Sequence, residues 1–293
     1  KKYSSNFHLF IFAFDSQSYQ LLKKINLSST TIISLDEFED EELLKVKKSR
    51  SKLEYCWTCT PSIIKFSIEK FKLESCTYLD ADIYFFSNPD ILISEMLSNS
   101  ILITEHRYTP KYDLTSISGI YNVQFLTFKN DKNGIEALTW WRNKCNIWCY
   151  NRVENGKYGD QKYLDDWTVR FKGVHVLKNL GGGLAPWNIQ QYKVEEKPFE
   201  LVFYHFHGFK YLLNNTLDLG DYQLRKKDIK NIYKPYLTHL EKIKKDISIT
   251  DDSYDYHGTI KTREFKLKNL LRYVRRKLNN SYNVYNKNYI LGL

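Results

Sequence analysis

The sequence predicts an α/β fold: a mainly parallel sheet flanked by helices, with a basic helical extension at its C-terminal end. Three observations carry that expectation. Short apolar, β-prone runs alternate with segments of helical periodicity, the pattern of βαβ units. One of those runs, Cys76 to Phe86, holds Asp80 and Asp82 among apolar residues and stops at Ser87-Asn88-Pro89-Asp90, as a buried strand does at the edge of an open sheet, where ligands bind. Positive charge then accumulates in the last third of the chain, at Lys261, Arg263, Lys266, Lys268, Arg272, Arg275, Arg276 and Lys277.

Taken in order, Phe7 to Phe14 reads as a strand, followed by a helical pattern through Tyr19, Leu21, Leu22 and Ile25. Thr30 to Leu35 reads as a second strand. It runs into Asp36-Glu37-Phe38-Glu39-Asp40, whose acids suit the first turn of a helix and its dipole. Pro61 is expected to open a helix through Ile63, Ile64, Phe66, Ile68 and Phe71, because the first helical position tolerates its missing N–H. Strands are expected at Ile101 to Thr104, Tyr121 to Phe128 and Leu201 to Phe206, and helices at Gly134 to Tyr150 and Gly159 to Trp167. Gly181-Gly182-Gly183 is expected to be a flexible loop; it lacks the Lys-Ser/Thr of a phosphate-binding P-loop. Thr250 to Thr259, polar with three aspartates, reads as a linker.

The 293 residues suffice for a sizeable core, and the apolar and aromatic content is that of a globular chain. No apolar run approaches the roughly 20 residues of a spanning helix and no signal peptide opens the chain, so a cytoplasmic protein is expected. The only methionine is Met96 and the chain opens on Lys1-Lys2-Tyr3 just before a strand, from which an upstream strand and helix are expected. Five cysteines, Cys56, Cys59, Cys76, Cys145 and Cys149, read as reduced thiols. A four-thiolate zinc site from Cys56, Cys59, Cys145 and Cys149 is the lesser reading. The net charge of +10 comes with no nucleic-acid module, and no nucleic-acid partner is expected. Phe265, Leu267, Leu270, Leu271 and Val274 recur at helical spacing between the basic residues. That is the pattern of an amphipathic helix lying on an anionic membrane surface or packed on the main domain.

The chemistry concentrates in two places. In an extended strand Asp80 and Asp82 would project to one side and repel, and a hard divalent ion such as Mn²⁺ or Mg²⁺ would relieve that repulsion while leaving positions open for phosphate oxygens. Some 120 residues later comes Tyr204-His205-Phe206-His207-Gly208-Phe209-Lys210. It offers a histidine for a metal, a glycine for close backbone approach and a lysine for a phosphate.

Four segments, in the same chain order, resemble retaining nucleotide-sugar transferases of the GT-A fold, the group of glycogenin and the bacterial lipooligosaccharide galactosyltransferases. Tyr78-Leu79-Asp80-Ala81-Asp82 is similar to that family's Tyr-Leu-Asp-x-Asp, Tyr121-Asn122-Val123-Gln124 to its Phe-Asn-x-Gly, Asp160-Gln161-Lys162-Tyr163-Leu164 to its Asp-Gln-x-x-Leu, and His205 to Lys210 to its His-Phe-x-Gly-x-x-Lys. The likeness spans Phe7 to Lys210. A nearer likeness is to bacterial sugar transferases carrying Glu-Tyr-Cys-Trp-Thr-Cys-Thr, here Glu54 to Thr60.

The resemblance implies a GT-A, Rossmann-like catalytic domain over residues 1–248 and a linker and basic tail over 249–293. It implies Mn²⁺ or Mg²⁺ on Asp80, Asp82 and His205, with His207 as the alternative ligand, and a nucleotide-diphosphate sugar contacted by Asp80, Asn122 and Lys210. Asp160 and Gln161 would sit beside the sugar as the catalytic pair. The acceptor would be a glycan or lipid-linked glycan, in bacterial surface polysaccharide synthesis, at the inner membrane face. Glu105, His106 and Arg107 follow a strand at the same edge and could bind the acceptor or the diphosphate, but a surface turn is the main expectation. Two departures stand out: Gln124 replaces the family's glycine, and the His205 to Lys210 segment is one residue short. A sugar-phosphate nucleotidyltransferase and a non-catalytic, polyanion-binding module are the alternatives.

Overall fold

The computed structural model describes residues 2–4, 6–197, 199–251 and 267–293. Its strands are β1 (Leu9–Ala13), β2 (Thr30–Ser34), β3 (Ser75–Leu79), β4 (Ile83–Phe85), β5 (Ile101–Glu105), β6 (Tyr121–Lys129), β7 (Val174–Val176), β8 (Phe203–His205), β9 (Lys210–Leu212), β10 (Thr216–Asp218) and β11 (Val284–Asn286). The central sheet has the order β3-β6-β5-β7, with helices against it: a mixed α/β fold. Here the expectation of a mainly parallel sheet is corrected. β5 and β7 are parallel, but β6 runs antiparallel to both β3 and β5, with a register break between Leu102 and Thr104. The 106–120 connection carries only a short 3-10 helix, Pro110–Tyr112, and a four-residue helix, Thr115–Ser118, where a parallel crossover usually has a longer helix packed on the face of the sheet. β6 is buried along all but its last residue. A strand buried on both faces reads as a continuous apolar run whichever way it points, so direction was not legible.

Beside this sheet lie a parallel pair, β1-β2, an antiparallel pair, β4-β8, and the antiparallel set β11-β10-β9. The 52–71 helix starts nine residues before Pro61, at a capping box in which Ser51 accepts from the Glu54 amide and Glu54 from the Ser51 amide. That cap supplies the start that the proline was expected to give, and Pro61 lies inside the helix at the loss of one hydrogen bond. This helix and the 132–147 helix, capped by Asp131, bury Ile64, Ile68, Leu138 and Trp141 against Leu126 and Phe128 of β6 and Trp167. Trp141 also donates its indole N–H to the Asp160 carbonyl at 2.9 Å, so core packing fixes the backbone at a predicted site residue.

The triglycine is another correction, because residues 181–189 are all buried. A Cβ on Gly181 would stand 1.9 Å from the Glu200 carbonyl oxygen, and one on Gly182 would stand 2.8 Å from a Leu177 methyl. The glycines are there for close approach of backbone to backbone, not for mobility.

At the C-terminal end, β11 pairs with β10, and the Leu267–Leu278 helix docks through its arginines: Arg272 on Asp221, Arg276 on Asp218. Leu271, Val274 and Leu278 of that helix are left exposed. Lys261, Arg263, Phe265, Lys266 and the expected linker from residue 252 on lie outside the described residues. Among the described residues no helix is long and apolar enough to cross a membrane.

Candidate metal centre

Asp80 and Asp82 do not lie in an extended strand, as the sequence reading had them. β3 ends at Leu79 and β4 begins at Ile83, so the two acids occupy a turn closed by the Ile83 amide on the Asp80 carbonyl at 3.3 Å. The turn is tied on both sides: the Asp80 amide donates to the Gln124 carbonyl at 3.1 Å, and the Phe206 amide to the Asp82 carbonyl at 2.8 Å. β4 pairs antiparallel with β8, placing Ile83 opposite His205. Two segments more than a hundred residues apart are thereby brought together by main-chain pairing.

His205 Nε2 stands 2.8 Å from Asp82 Oδ1 and 3.8 Å from Asp80 Oδ2. One ligand atom each from Asp82, His205 and His207 lie within 4.8 Å of one another, so both histidines gather at Asp82, while Asp80 stands outside this trio and approaches it at His205, 3.8 Å away. One carboxylate and two imidazoles, with a second carboxylate alongside, are a donor set that suits a divalent ion. Among the described residues this cluster contains no cysteine, and all five cysteines are free thiols, which leaves the four-thiolate zinc site without support.

Electrostatics follow the same geometry. Burial pushes the Asp80 carboxyl above its ordinary range, partly offset by the His205 charge. Burial acts on Asp82 in the same sense, but the hydrogen bond and charge of His205 prevail and hold it below. For His205 burial favours the neutral ring; Asp82 outweighs it and raises the imidazolium's pKa. Tyr78 donates its hydroxyl to Asp80 Oδ1 at 3.0 Å.

The other predicted residues fall around this centre. Asp160 is 2% exposed, its Oδ2 has no partner among the described residues, and Gln161 begins the short turn Gln161–Leu164. Burial first, then the Asp80 charge, push the Asp160 carboxyl up to about 7, against a hydrogen bond from Thr60. Asn122 is buried and engaged at both ends, accepting from the Gln124 amide at 2.7 Å and meeting His106 Nε2 at 3.1 Å. Lys210 is exposed at the start of β9, near enough to His207 for their charges to interact. His106 corrects the expected surface turn. It is 3% exposed, burial lowers its pKa to about 3, and it stacks on Tyr108 with ring centroids 4.5 Å apart.

Sequence reasoning missed Trp187, whose ring meets His205 and His207 edge-on at 5.4 and 5.6 Å, and Thr60, which reaches Asp160 from the 52–71 helix. It also missed Gln124, noted only as a departure; its amide oxygen meets His205 Nδ1 at 2.7 Å.

The raised Asp160 pKa predicts a pH effect. An unfolded Asp titrates near pH 4, so the folded state holds a proton there that the unfolded chain has lost. The associated stability is full below about pH 4 and is lost as pH rises to about 7, by at most roughly 4 kcal/mol. Asp160→Asn removes the ionisation. In chelator, the urea-unfolding free energy of the variant relative to the parent is expected to increase between pH 4.5 and pH 8; parallel pH profiles would contradict the assignment.

Fold and cluster together define a mixed α/β protein with a candidate divalent-metal centre beside its central sheet. The chain is 35% identical over 257 residues to the uncharacterized protein YfnD of Bacillus subtilis (strain 168), covering 82% of each chain. It is 30% identical over 225 residues to the uncharacterized protein YfnF of the same organism, covering 71% of this chain and 74% of YfnF. It belongs to the family of these two proteins. No family model matches the chain. Among solved structures it is similar to a glycosyltransferase involved in the glycosylation of the major capsid of PBCV-1, with a TM-score of 0.43 and 14% identity over 69% of this chain and 93% of that one. It is also similar to mouse xyloside xylosyltransferase 1 in its apo form, with a TM-score of 0.42 and 13% identity over 69% of this chain and 84% of that one.

Proposed function

We propose that the protein is a metal-dependent glycosyltransferase that moves a hexosyl group from a nucleotide-diphosphate sugar to a glycan or lipid-linked acceptor, with retention at the sugar carbon. The observation that carries this reading is the meeting of Asp82, His205 and His207 in one cluster, with Asp80 3.8 Å from His205 and the Asp160 carboxyl, whose Oδ2 has no partner among the described residues, close enough to feel the Asp80 charge. Asp80, Asp82 and His205, with His207 beside them, would hold Mn²⁺ or Mg²⁺. Such an ion, when bound, stabilises the negative charge that develops on a leaving diphosphate. Lys210 adds a second positive charge on the exposed side. Asp160, which keeps its proton to about pH 7, donates a hydrogen bond from a dry position to a sugar hydroxyl, and Gln161 and Asn122 hold the ring.

The test is a thermal-shift screen of UDP, GDP and CMP sugars with and without Mn²⁺. Stabilisation by one nucleotide diphosphate only when metal is present is expected. A response to CTP or TTP instead would favour a nucleotidyltransferase, and no response would favour a non-catalytic module.

The setting we propose is the cytoplasmic face of a bacterial membrane, in surface-polysaccharide synthesis. Exposed Leu271, Val274 and Leu278 beside exposed Arg275 present apolar and basic groups together on one docked helix, as contact with anionic lipid requires. Leu271→Glu is expected to weaken co-sedimentation with anionic vesicles severalfold; unchanged co-sedimentation would remove the membrane from the proposal.

A further inference from the structure

The residue that ties the two halves of the cluster together is Gln124, on the central strand β6. Its backbone carbonyl accepts from the Asp80 amide at 3.1 Å, and its side-chain oxygen faces His205 Nδ1 at 2.7 Å. Its own amide N–H is pinned by Asn122 Oδ1 at 2.7 Å, and the whole residue is 0% exposed. Among the described residues no other member of β6 makes this double contact with the acidic turn and the histidine. Space for the amide is made at Gly183, where a Cβ would stand 3.5 Å from Gln124 Nε2 and 2.7 Å from a Thr104 methyl.

A neutral imidazole carries one N–H and one lone pair, and the partner of one ring nitrogen decides what the other can do. An oxygen acceptor at Nδ1 keeps a proton there and leaves Nε2, the nitrogen that faces Asp80 and Asp82, as the one able to offer a lone pair to a cation. We propose that Gln124 is a positioning residue that holds His205 in the Nδ1–H tautomer, presenting Nε2 to a divalent ion shared with the acidic turn. The family resembled by this sequence has glycine at this position, so the device belongs to this chain's own departure from the pattern. Second-shell acceptors of this kind raise ligand basicity and fix ring orientation, and losing one typically lowers metal affinity 10–100-fold.

The inference rests on the metal-centre reading, and the experiment separates the two. Mn²⁺ binding is measured calorimetrically, without nucleotide, for the parent, Gln124→Met and Gln124→Glu. Methionine keeps the volume and removes the acceptor; glutamate keeps an oxygen. Affinity about 10–100-fold lower for Gln124→Met, with parent-like affinity or better for Gln124→Glu, is the expected result. Parent affinity in Gln124→Met overturns the role of Gln124 while the metal centre stands. A parent that binds no Mn²⁺ or Mg²⁺ overturns the metal centre and this inference with it. A second measurement needs no folded variant at position 124. In the ¹⁵N-labelled parent with Mg²⁺, the histidine signal absent from His205→Gln is expected to show its proton on Nδ1, and a proton on Nε2 would refute the proposal.

Discussion

Asp82→Ala is expected to abolish metal-dependent turnover of the nucleotide sugar, lowering kcat about 10³-fold or more, while the far-ultraviolet circular dichroism stays that of the parent. The size of the effect follows from what the carboxylate touches. Its Oδ1 is 2.8 Å from His205 Nε2, and the Asp82 side chain is 44% exposed, so it faces the side from which a substrate arrives. Removing it strips a carboxylate from the candidate metal cluster and releases the contact with His205 Nε2 at 2.8 Å. Stability changes little by comparison. A part-exposed hydrogen bond contributes about 1 kcal/mol, and relief of repulsion from Asp80 offsets some of that. Asp82 also holds the fold through its backbone carbonyl, which accepts from Phe206, and alanine preserves that bond. Turnover at the parent rate in the variant, with chelator present, would sink the metal-dependent reading.

The parts of this site that were legible in the sequence are those written in local chemistry. Two acids one residue apart and two histidines one residue apart are conspicuous in apolar surroundings, and both histidines and Asp82 converge on one cluster, with Asp80 at its edge. Pairing was less legible. The apolar run from Cys76 to Phe86 looks like one strand, yet it is two with a turn between, because only the partners β6 and β8 decide where each ladder begins. The roles of Gln124 and His106 were not legible for a similar reason. Each is one polar residue in or beside a buried strand, and its meaning depends on partners 81 and 16 residues away in sequence. The triglycine reads as mobility because its composition is that of a linker, while the backbone and side chains that press on it come from Glu200, Leu92, Leu177 and Thr104. The C-terminal helix carries strong amphipathic periodicity, but periodicity does not say which face docks. Here the buried anchor is an arginine, and Leu271 and Leu278 point to solvent.

Arg276→Ala is expected to destabilise the protein by about 3–5 kcal/mol, the cost of taking the countercharge from a buried carboxylate. Arg276 and Asp218 side chains are 2% and 1% exposed, and the guanidinium grips the carboxylate with both terminal nitrogens, Nη1 to Oδ2 at 2.9 Å and Nη2 to Oδ1 at 2.7 Å. Nη2 also donates to the Gly220 carbonyl at 2.8 Å and Nε to the Ser281 carbonyl at 3.2 Å. Alanine therefore takes both guanidinium bonds from the acid, which keeps the Gly220 amide at 3.1 Å, and one donor from each of two carbonyls, of which that of Gly220 keeps the Asn283 amide at 3.1 Å. The double variant Arg276→Met with Asp218→Asn removes the stranded charge and is expected to recover at least half of the loss. That distinguishes the cost of an unpaired ion from the cost of lost packing. Urea unfolding measures both, and a loss under about 1 kcal/mol for Arg276→Ala would mean that the helix is not anchored by this pair. The consequence reaches the metal centre, because a Cβ on Gly220 would stand 3.4 Å from the His207 carbonyl oxygen and the Gly220 α-carbon lies 3.6 Å from where a Gly208 Cβ would be. The loop that carries His207 thus packs against the loop that Arg276 holds. Weaker Mn²⁺ binding is expected in Arg276→Ala at temperatures where it is still folded, with recovery in the double variant.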